Sequence, residues 1–339
     1  MDSSAAPPPN ITLMQMIFGK WVSQALSVVA RFRVADHLAG GPKTASELAQ
    51  MTDTQPGPLY RVLRALGSVG VLTEHADHRF ALTPVGEYLR SVVPGSLRAI
   101  ATYCGDPWSW QAWGALAEGV RTGQTPFDRV FGQGPWEYLK AHPDEAATFN
   151  EGMTGFSQQA AGPVVKAYDF SRFGTVVDVG GGHGALLSAI LKANPGVRGV
   201  VFDMPQVVEG AGPALRAAGL ADRCTTGGGD FFKEVPAGGD AYLLKHIIHD
   251  WNDEKAAAIL RTCRRAIRPT GKLLLVEIVI PPPGEPSPGK LLDLEMLVIC
   301  DGKERTEAEY RALLASAGFR LTRIVPTEAP VSIVEGEPV

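Results

Sequence analysis

The feature that most constrains the fold is a glycine-rich turn that follows a short apolar segment. The segment is Thr175–Val179, the turn is Gly180–Gly184, and a helical stretch from Ala185 to Ala193 comes next. Further apolar segments alternate with helical ones along the chain: Gly199–Phe202, Ala241–Leu244 and Leu273–Val276. This alternation predicts an α/β fold, a doubly wound parallel sheet with helices on both faces. Ligands of such sheets bind at the carboxyl ends of the strands.

Residues up to about 105 follow a different pattern, with short helices and then a hairpin. Thr44 and Glu47 have the spacing of a capping box. The apolar residues that follow recur at helical spacing: Leu59, Val62, Leu63 and Leu66. Two short β-type segments, Val71–Thr73 and Arg79–Leu82, flank a polar turn. Three helices followed by such a wing predict a winged helix.

A winged helix can bind DNA or serve as a dimerisation module. Residues 1–105 contain nine Lys and Arg against seven Asp and Glu, an excess of about two positive charges that is weak for binding phosphates. The helix predicted from Ile11 to Phe32 is apolar over much of its circumference, more than one small domain can bury. We therefore expect a homodimer through a winged-helix dimerisation domain at residues 11–105, and no nucleic-acid partner.

The composition disfavours several other classes of protein. The chain has 339 residues and a net charge of −4, enough length for two domains without the basic balance of a nucleic-acid binder. Its four cysteines form no C-x-x-C pair, so zinc ribbons and redox motifs are not expected. No apolar run reaches the length of a membrane span, and the amino terminus lacks a signal-peptide pattern. We expect a cytoplasmic protein with no membrane contact.

The glycine loop predicts a site where a ligand approaches the backbone closely. Asp203, at the end of the second strand, can accept both hydrogen bonds of a ribose diol. Gly180 and Gly182 with Ala185 also fit a dinucleotide pattern, so a dehydrogenase is an alternative. Asp178 lies just before the loop, where it would repel a pyrophosphate and attract the ammonium group of S-adenosylmethionine (SAM).

A third segment, Gly229-Asp230-Phe231, also favours SAM. Asp230 can accept a hydrogen bond from the adenine amino group while Phe231 packs on the ring. The expected cofactor is therefore SAM, with S-adenosylhomocysteine as product.

The segment after the fourth strand contains the candidate base. His249 is expected to be exposed at the cleft end of the sheet, and residues 250–253 can cap the following helix. Glu277 ends the next strand, and Glu304 lies in Gly302-Lys-Glu-Arg-Thr306. A histidine flanked by two such acids predicts a general base.

Metal binding by His246 and His249 together with these acids is the alternative. The chain has no H-x-x-x-H or comparable ligand pair there, so no metal is expected.

Several segments resemble the caffeate and hydroxyindole type of SAM-dependent O-methyltransferase, and its bacterial natural-product branch most closely. They are Asp178–Gly184, Phe202–Pro205, Gly229–Phe232, His249–Trp251 and Gly302–Thr306. The H-D-W and K-E-R-T segments are far more specific than the glycine loop, and the similarity covers nearly the whole chain. The resemblance implies a Rossmann-like SAM-methyltransferase domain with a helical connector or lid at residues 106–339. A mostly helical winged-helix dimerisation domain precedes it.

The resemblance also implies roles for individual residues. His249 would take the proton of a phenolic hydroxyl on a small aromatic or polyketide-like acceptor, with Glu277 and Glu304 holding its imidazole and no metal involved. The residues implied to contact SAM are Gly180, Gly182, Asp203, Met204, Asp230, Phe231, Lys245 and Ser157. Those implied to contact the acceptor are Asn150, Met153, Asp250 and Met296, although a core role for the two methionines is an alternative.

The chain departs from the family pattern at two places. His183 stands where threonine is commoner, and Cys300-Asp301 precedes Gly302 in a shortened connection beside the acceptor pocket. Two other functions stay open: a SAM-binding enzyme that hydroxylates or decarboxylates, and a winged-helix regulator that senses SAM. The presence of all three catalytic candidates favours methyl transfer, and the weak charge of the winged half disfavours a regulator.

Overall fold

The computed structural model describes residues 7–339, which form two compact units. The first comprises residues up to 110 together with 147–155, and the second comprises 111–146 and 156–339. The helices are α1 (Pro9–Arg31), α2 (Val34–Leu38), α3 (Ala45–Thr52), α4 (Pro56–Ser68), α5 (Arg98–Cys104), α6 (Pro107–Gly114), α7 (Leu116–Thr122), α8 (Pro126–Phe131), α9 (Pro135–Ala141), α10 (Pro143–Ala167), α11 (Ala185–Ala193), α12 (Pro205–Val208), α13 (Ala211–Ala217), α14 (Asp253–Ala266), α15 (Gly289–Ile299) and α16 (Glu307–Ser316). The strands are β1 (Lys43–Thr44), β2 (Leu72–Glu74), β3 (Arg79–Leu82), β4 (Thr175–Val179), β5 (Arg198–Asp203), β6 (Cys224–Gly228), β7 (Ala241–Lys245), β8 (Lys272–Glu277), β9 (Val279–Ile280), β10 (Arg305–Thr306), β11 (Phe319–Pro326) and β12 (Ser332–Pro338).

The first unit has the predicted winged-helix arrangement. Helices α2, α3 and α4 are followed by the β2–β3 wing, and β1 adds a third antiparallel strand in the order β1–β3–β2. The predicted capping box forms, because Thr44 Oγ1 accepts the backbone N–H of Glu47 while Glu47 accepts that of Thr44. Among the fully buried side chains of this unit are Leu48, Leu63, Leu66 and Phe80.

Helix α1 exposes a row of large apolar side chains. Leu13, Met16, Ile17 and Trp21 are 59%, 71%, 57% and 58% exposed. A contiguous apolar surface of this kind is unusual on a protein that remains alone in water. Many of the apolar residues that the sequence places in this helix are therefore exposed on its surface.

The second unit contains a seven-stranded sheet in the order β11–β12–β8–β7–β4–β5–β6. Five adjacent strands, from β8 to β6, pair in parallel. The last two strands of the chain form an antiparallel hairpin that pairs with β8. The four strands that the sequence predicts all pair in parallel, and the antiparallel edge is an addition to them, because consecutive strands joined by a short turn run antiparallel.

The order of the strands places the ligand crevice. From β4 the chain continues to β5 and β6 on one side, and then crosses to β7 and β8 on the other. This reversal makes β4 the switch point, and crevices open beyond the carboxyl ends of the strands at such points. Buried apolar clusters fill both faces of the sheet, with Leu187 and Val201 in one cluster and Leu260 and Leu275 in the other. Among the helices described, none has the length and apolarity needed to cross a membrane.

The carboxylate of Glu335 on β12 ties the antiparallel edge together. It accepts hydrogen bonds from Tyr168 (2.6 Å), Thr322 (2.6 Å) and the guanidinium of Arg323 (2.9 Å). Burial alone would raise the pKa of Glu335, but these hydrogen bonds outweigh it and lower the pKa to about 2.

We predict that Glu335→Gln lowers the free energy of unfolding by about 2 kcal/mol at pH 7, the usual loss for a charged hydrogen-bond acceptor. Because the folded-state pKa lies below the unfolded-state value, this stabilisation is fully present above about pH 4.5 and is lost as the pH falls towards 2. Urea unfolding of the variant and the wild type at pH 7 and pH 3 measures the difference. Glu337→Gln, on the same strand, is the control, and an equal loss in both variants at both pH values would contradict the assignment.

Candidate active site

His249 lies in a short turn beyond the carboxyl end of β7. Residues Ile248–Asp250 form one turn of 3-10 helix, and Asn252 caps α14 by accepting the backbone N–H of Lys255. The side chain of His249 is 6% exposed. The expectation that this histidine is exposed is therefore wrong. The segment around Gly302 lies over the turn, with Lys303 N–H donating to the carbonyl of His249 (2.9 Å).

The imidazole of His249 contacts three carboxylates. Its Nδ1 is 2.6 Å from Oε1 of Glu304 and 3.7 Å from Oε2 of Glu277, while its Nε2 is 3.5 Å from Oδ1 of Asp250. The side chains of both glutamates are fully buried. The structure therefore brings together the three residues that the sequence singles out, and Glu304 makes the hydrogen bond that orients the ring.

Glu277 acts mainly on the backbone of the turn. Its Oε1 accepts the N–H groups of Ile247 (3.2 Å) and Ile248 (3.0 Å). Since Glu277 ends β8 and the turn follows β7, this carboxylate ties the turn to the neighbouring strand. Glu277 thus holds the turn, and Glu304 holds the imidazole.

Burial makes these acids weaker than usual. It raises the pKa of Glu304 to about 8, and those of Glu277 and Asp250 to about 7. Each of these three acids therefore keeps its proton to a higher pH than an exposed carboxyl group does. With Glu304 ionised, Nδ1–H of His249 donates to it and Nε2 keeps a lone pair with which it can accept a proton.

The glycine loop has open space beside its backbone at Gly182. Gly180, Gly182 and Gly184 all have positive φ angles of 71°, 56° and 76°, which glycine adopts without strain. A Cβ added to Gly182 would meet no atom within 4 Å, so the space beside it is open. Asp203 faces this loop and accepts N–H of Gly182 (2.8 Å) and of Met204 (2.7 Å).

A buried acid and a buried cation lie at the ends of β4 and β7. Burial raises the pKa of Asp178 to about 7 and lowers that of Lys245 to about 8. Nζ of Lys245 donates to Oγ of Ser157 (2.9 Å). The open glycine loop and two strand-end carboxylates fit a ligand that carries a diol and a positive charge, as SAM does.

Asp230 and Phe231 lie after the end of β6. Asp230 is exposed and accepts the N–H of Phe232 (2.9 Å), while Phe231 is half-buried with its ring 6.1 Å from that of Trp251. Met204, after the end of β5, is 37% exposed. These positions follow strand ends on the same edge of the sheet as the glycine loop.

The residues predicted to contact an acceptor fall in different parts of the chain. Met296 is buried on α15, and Cys300 lies between it and Asp250, with Sγ 3.8 Å from Sδ of Met296 and 3.9 Å from Oδ1 of Asp250. Asn150 and Met153 lie on α10 within the first compact unit. Their role stays a prediction.

Sequence reasoning missed two residues that shape the site. Gly302 approaches the turn so closely that a Cβ there would lie 2.0 Å from the carbonyl oxygen of His249. Arg305 is fully buried and hydrogen-bonds to the same turn. The K-E-R-T segment drew attention to Glu304, but nothing in the sequence indicated that Gly302 and Arg305 contact the turn of His249.

The alternative that this site binds a metal ion depends on the spacing of His249, Glu277 and Glu304. One ligand atom from each of His249, Glu277 and Glu304 lies within 4.8 Å of the others, a spacing that could hold an ion. His246 is not part of this group, although its ring is 4.9 Å from that of His249, and burial lowers its pKa well below the usual value. Nδ1 of His249 is already used by Glu304.

Comparison with known proteins identifies the class of enzyme. A family profile for the O-methyltransferase domain matches residues 113–320, and one for the O-methyltransferase dimerisation domain matches residues 14–91. These matches cover most of the chain, so the chain belongs to the O-methyltransferase family. It is a SAM-dependent O-methyltransferase, and the predicted fold class is confirmed.

The relatives make the identification more specific. A phenazine O-methyltransferase of Lysobacter antibioticus is 47% identical over 338 residues, which cover 100% of this chain and 99% of that protein. The crystal structure of LaPhzM has a TM-score of 0.95 at 47% identity, covering 98% of this chain and 100% of its own. An O-methyltransferase from neocarzinostatin biosynthesis, solved with SAM and 2-hydroxy-5-methyl naphthoic acid, has a TM-score of 0.80 at 35% identity and covers 94% and 96%.

We predict that activity survives exhaustive treatment with EDTA. His249 already has a carboxylate partner on Nδ1, and with its imidazole as the base no ion would be needed to ionise an acceptor hydroxyl. Turnover is measured with labelled SAM before and after chelation, and again after addition of Mg²⁺ or Zn²⁺. Loss of turnover that either ion restores would mean that the His249, Glu277 and Glu304 cluster is a metal site.

Proposed function

We propose that this enzyme transfers the methyl group of SAM to a hydroxyl of a small aromatic acceptor, with His249 as the general base. The observation that carries the proposal is the 2.6 Å contact between Nδ1 of His249 and the buried carboxylate of Glu304. It fixes the ring and leaves Nε2 as the atom that can take a proton.

The chemistry requires such a base. SAM supplies an electrophilic methyl group, and the acceptor oxygen has to be held roughly 3 Å from it and in line. A phenol with a pKa near 10 gives its proton to a histidine near 6.5 only at a cost of about 5 kcal/mol. Ionised Glu304 reduces this cost because it stabilises the imidazolium that forms. Proton removal then accompanies attack on the methyl group, as general-base catalysis requires.

The cofactor would bind along the carboxyl ends of β4, β5, β6 and β7. Asp203 would accept the ribose hydroxyls, Asp230 the adenine amino group, and Phe231 would pack on the adenine. Asp178, a buried carboxylate, would attract the ammonium group. The other residues assigned to the cofactor are Gly180, Gly182, Met204, Lys245 and Ser157.

The acceptor would lie against α15 and the turn after β7. Met296 offers a polarisable apolar surface for an aromatic ring. Asp250, beside Nε2 of His249, would meet a polar group next to the reactive hydroxyl. Asn150 and Met153 are the other residues assigned to the acceptor. Phenazine and naphthoate acceptors of the relatives suggest a fused or substituted aromatic ring.

The assembly would be a homodimer. The exposed apolar face of α1 and the match to a dimerisation domain support it. We assign residues 11–105 to the dimerisation domain, and residues 106–339 to the connector, lid and catalytic domain.

His249→Ala should lower turnover by roughly 10²- to 10⁴-fold, the usual loss for a positioned base. Affinity for SAM should stay close to wild type, since other residues hold the cofactor. Glu304→Gln should cost less, because it removes the orienting charge and leaves the base. Raising the pH towards the pKa of the phenol should partly rescue His249→Ala, since solvent then supplies phenolate.

The matched control is His142→Ala, which removes a histidine that stacks on Tyr138 and bonds to its carbonyl. Turnover with labelled SAM, melting temperature and mass spectrometry of the methylated product are measured for each variant. If His249→Ala methylates at the wild-type rate at neutral pH, the mechanism is wrong. A product methylated on nitrogen would place this chain in a different acceptor class.

Asp203→Asn should weaken SAM binding about 10- to 100-fold, the loss expected for a charge-assisted hydrogen bond. Asparagine retains an oxygen for the N–H of Gly182, so the loop should keep its shape. Calorimetry measures the affinity, with Asp222→Asn, an exposed acid before β6, as the control. Equal affinity in a folded Asp203→Asn variant would remove Asp203 from the cofactor site.

A further inference from the structure

Arg305 is fully buried, which is rare for an arginine, and all of its nitrogens donate hydrogen bonds. Nη1 donates to the carbonyls of Ile248 (2.9 Å) and Lys303 (3.2 Å), and Nη2 donates to the carbonyl of Trp251 (2.8 Å). Nε and Nη2 also donate to Oδ1 of Asp253, at 3.0 and 2.9 Å. The guanidinium group therefore makes five hydrogen bonds, as many as it has N–H donors.

Two of these acceptors define what Arg305 holds. The carbonyls of Ile248 and Trp251 lie on either side of His249 and Asp250 in the chain, so the guanidinium ties both ends of the turn that carries the base. Arg305 itself follows Glu304, the residue that orients the imidazole. One side chain thus connects the turn of His249 to the segment of Glu304.

The backbone reinforces this connection. Lys303 N–H donates to the carbonyl of His249, and Arg305 pairs with Val279 in the parallel β9–β10 ladder just beyond Glu277. The contact between His249 and Glu304 is therefore set by the docking of two segments of chain, and Arg305 lies between them.

We propose that Arg305 is a positioning residue for methyl transfer, which holds the turn of His249 in register with the carboxylate of Glu304. The proposal rests on the function proposed for His249 above. Arginine suits this role and lysine does not, because a planar group with five N–H donors reaches several fixed carbonyls at once, whereas an ammonium group is a single point.

The positive charge of Arg305 also acts on the carboxyl groups of Glu304 and Glu277. It opposes the burial that raises the pKa of Glu304 and of Glu277. A protonated Glu304 would donate to Nδ1 of His249 and leave the ring proton on Nε2, the nitrogen that has to accept. Geometry and charge therefore make separate contributions, which two substitutions can separate.

Arg305→Lys keeps the charge and loses most of the hydrogen bonds. We expect kcat to fall about 10- to 100-fold, with a change in the KM for the acceptor of less than about threefold and unchanged affinity for SAM. The midpoint of the acidic limb of the kcat profile against pH should stay where it is. Arg305→Met also loses the charge, and the midpoint should move to higher pH by about one unit, since the acids then ionise less readily.

Arg223→Lys is the matched control. Arg223 also holds several carbonyls, those of Leu191, Pro195 and Val197, but at the amino ends of the strands. Its substitution should lower the melting temperature while kcat per folded molecule and the pH midpoint stay at wild-type values. If the variants at Arg305 do not fold, Asp253→Asn replaces them in the test. The side chain of Asp253 is 60% exposed, and removing its charge only loosens Arg305. It should reduce kcat less than Arg305→Lys does.

The outcomes distinguish this proposal from the function on which it rests. If His249→Ala is inactive while the folded variants at Arg305 and Asp253 keep wild-type kcat and pH midpoint, Arg305 is a structural residue and the proposal is wrong. If His249→Ala is as active as the wild type, the function proposed for His249 is wrong, and the proposal for Arg305 loses its basis. A loss of kcat in Arg305→Lys without a matching loss in Arg223→Lys supports the proposal.

Discussion

The hydrogen bond between Nδ1 of His249 and Glu304 is the interaction on which the site depends. Its partners lie 55 residues apart, so its 2.6 Å length is a product of the fold. The sheet places the turn after β7 beside Glu277 at the end of β8, and the β9–β10 pairing brings the Glu304 segment next to both. Because the imidazole has this partner on one nitrogen, its other nitrogen can serve as a base.

The same arrangement costs stability. Three carboxylates around one imidazole lose much of their hydration, which is why burial raises the pKa of each of Glu277, Glu304 and Asp250. Oε2 of Glu277 and Oε2 of Glu304 have no hydrogen-bond partner among the described residues. His246 in the same turn has a φ of 52°, a conformation that few residues other than glycine adopt. Unsatisfied groups and strained backbone commonly concentrate at functional sites.

Local sequence patterns predicted the wing, the capping box, the central strands and the glycine loop, because each depends on residues close together in the chain. His249 and Glu277 were found because β7 and β8 end at the same edge of a sheet, whereas Glu304 lies just before β10 and follows no strand. What the sequence could not show was how the segments cover one another. His249 is buried by the segment around Gly302, and the antiparallel direction of β11 and β12 follows from their connection. Both are properties of tertiary packing, which produces no periodic pattern in the sequence.

In the proposed function, the end of α15 would connect recognition of the acceptor to catalysis. Met296 and Cys300 are four residues apart, so they lie on the same face of the helix, and Cys300 Sγ is 3.9 Å from Oδ1 of Asp250. Two residues later, Gly302 touches the carbonyl of His249 so closely that no side chain fits between them. A change in side-chain volume at Met296 or Cys300 would therefore shift the segment around Gly302 that covers His249. Since Asp250 follows His249 directly, the contacts proposed to select an acceptor and those that place the imidazole would share one short stretch of backbone. We expect acceptor preference in this enzyme to change together with kcat, and not through KM alone.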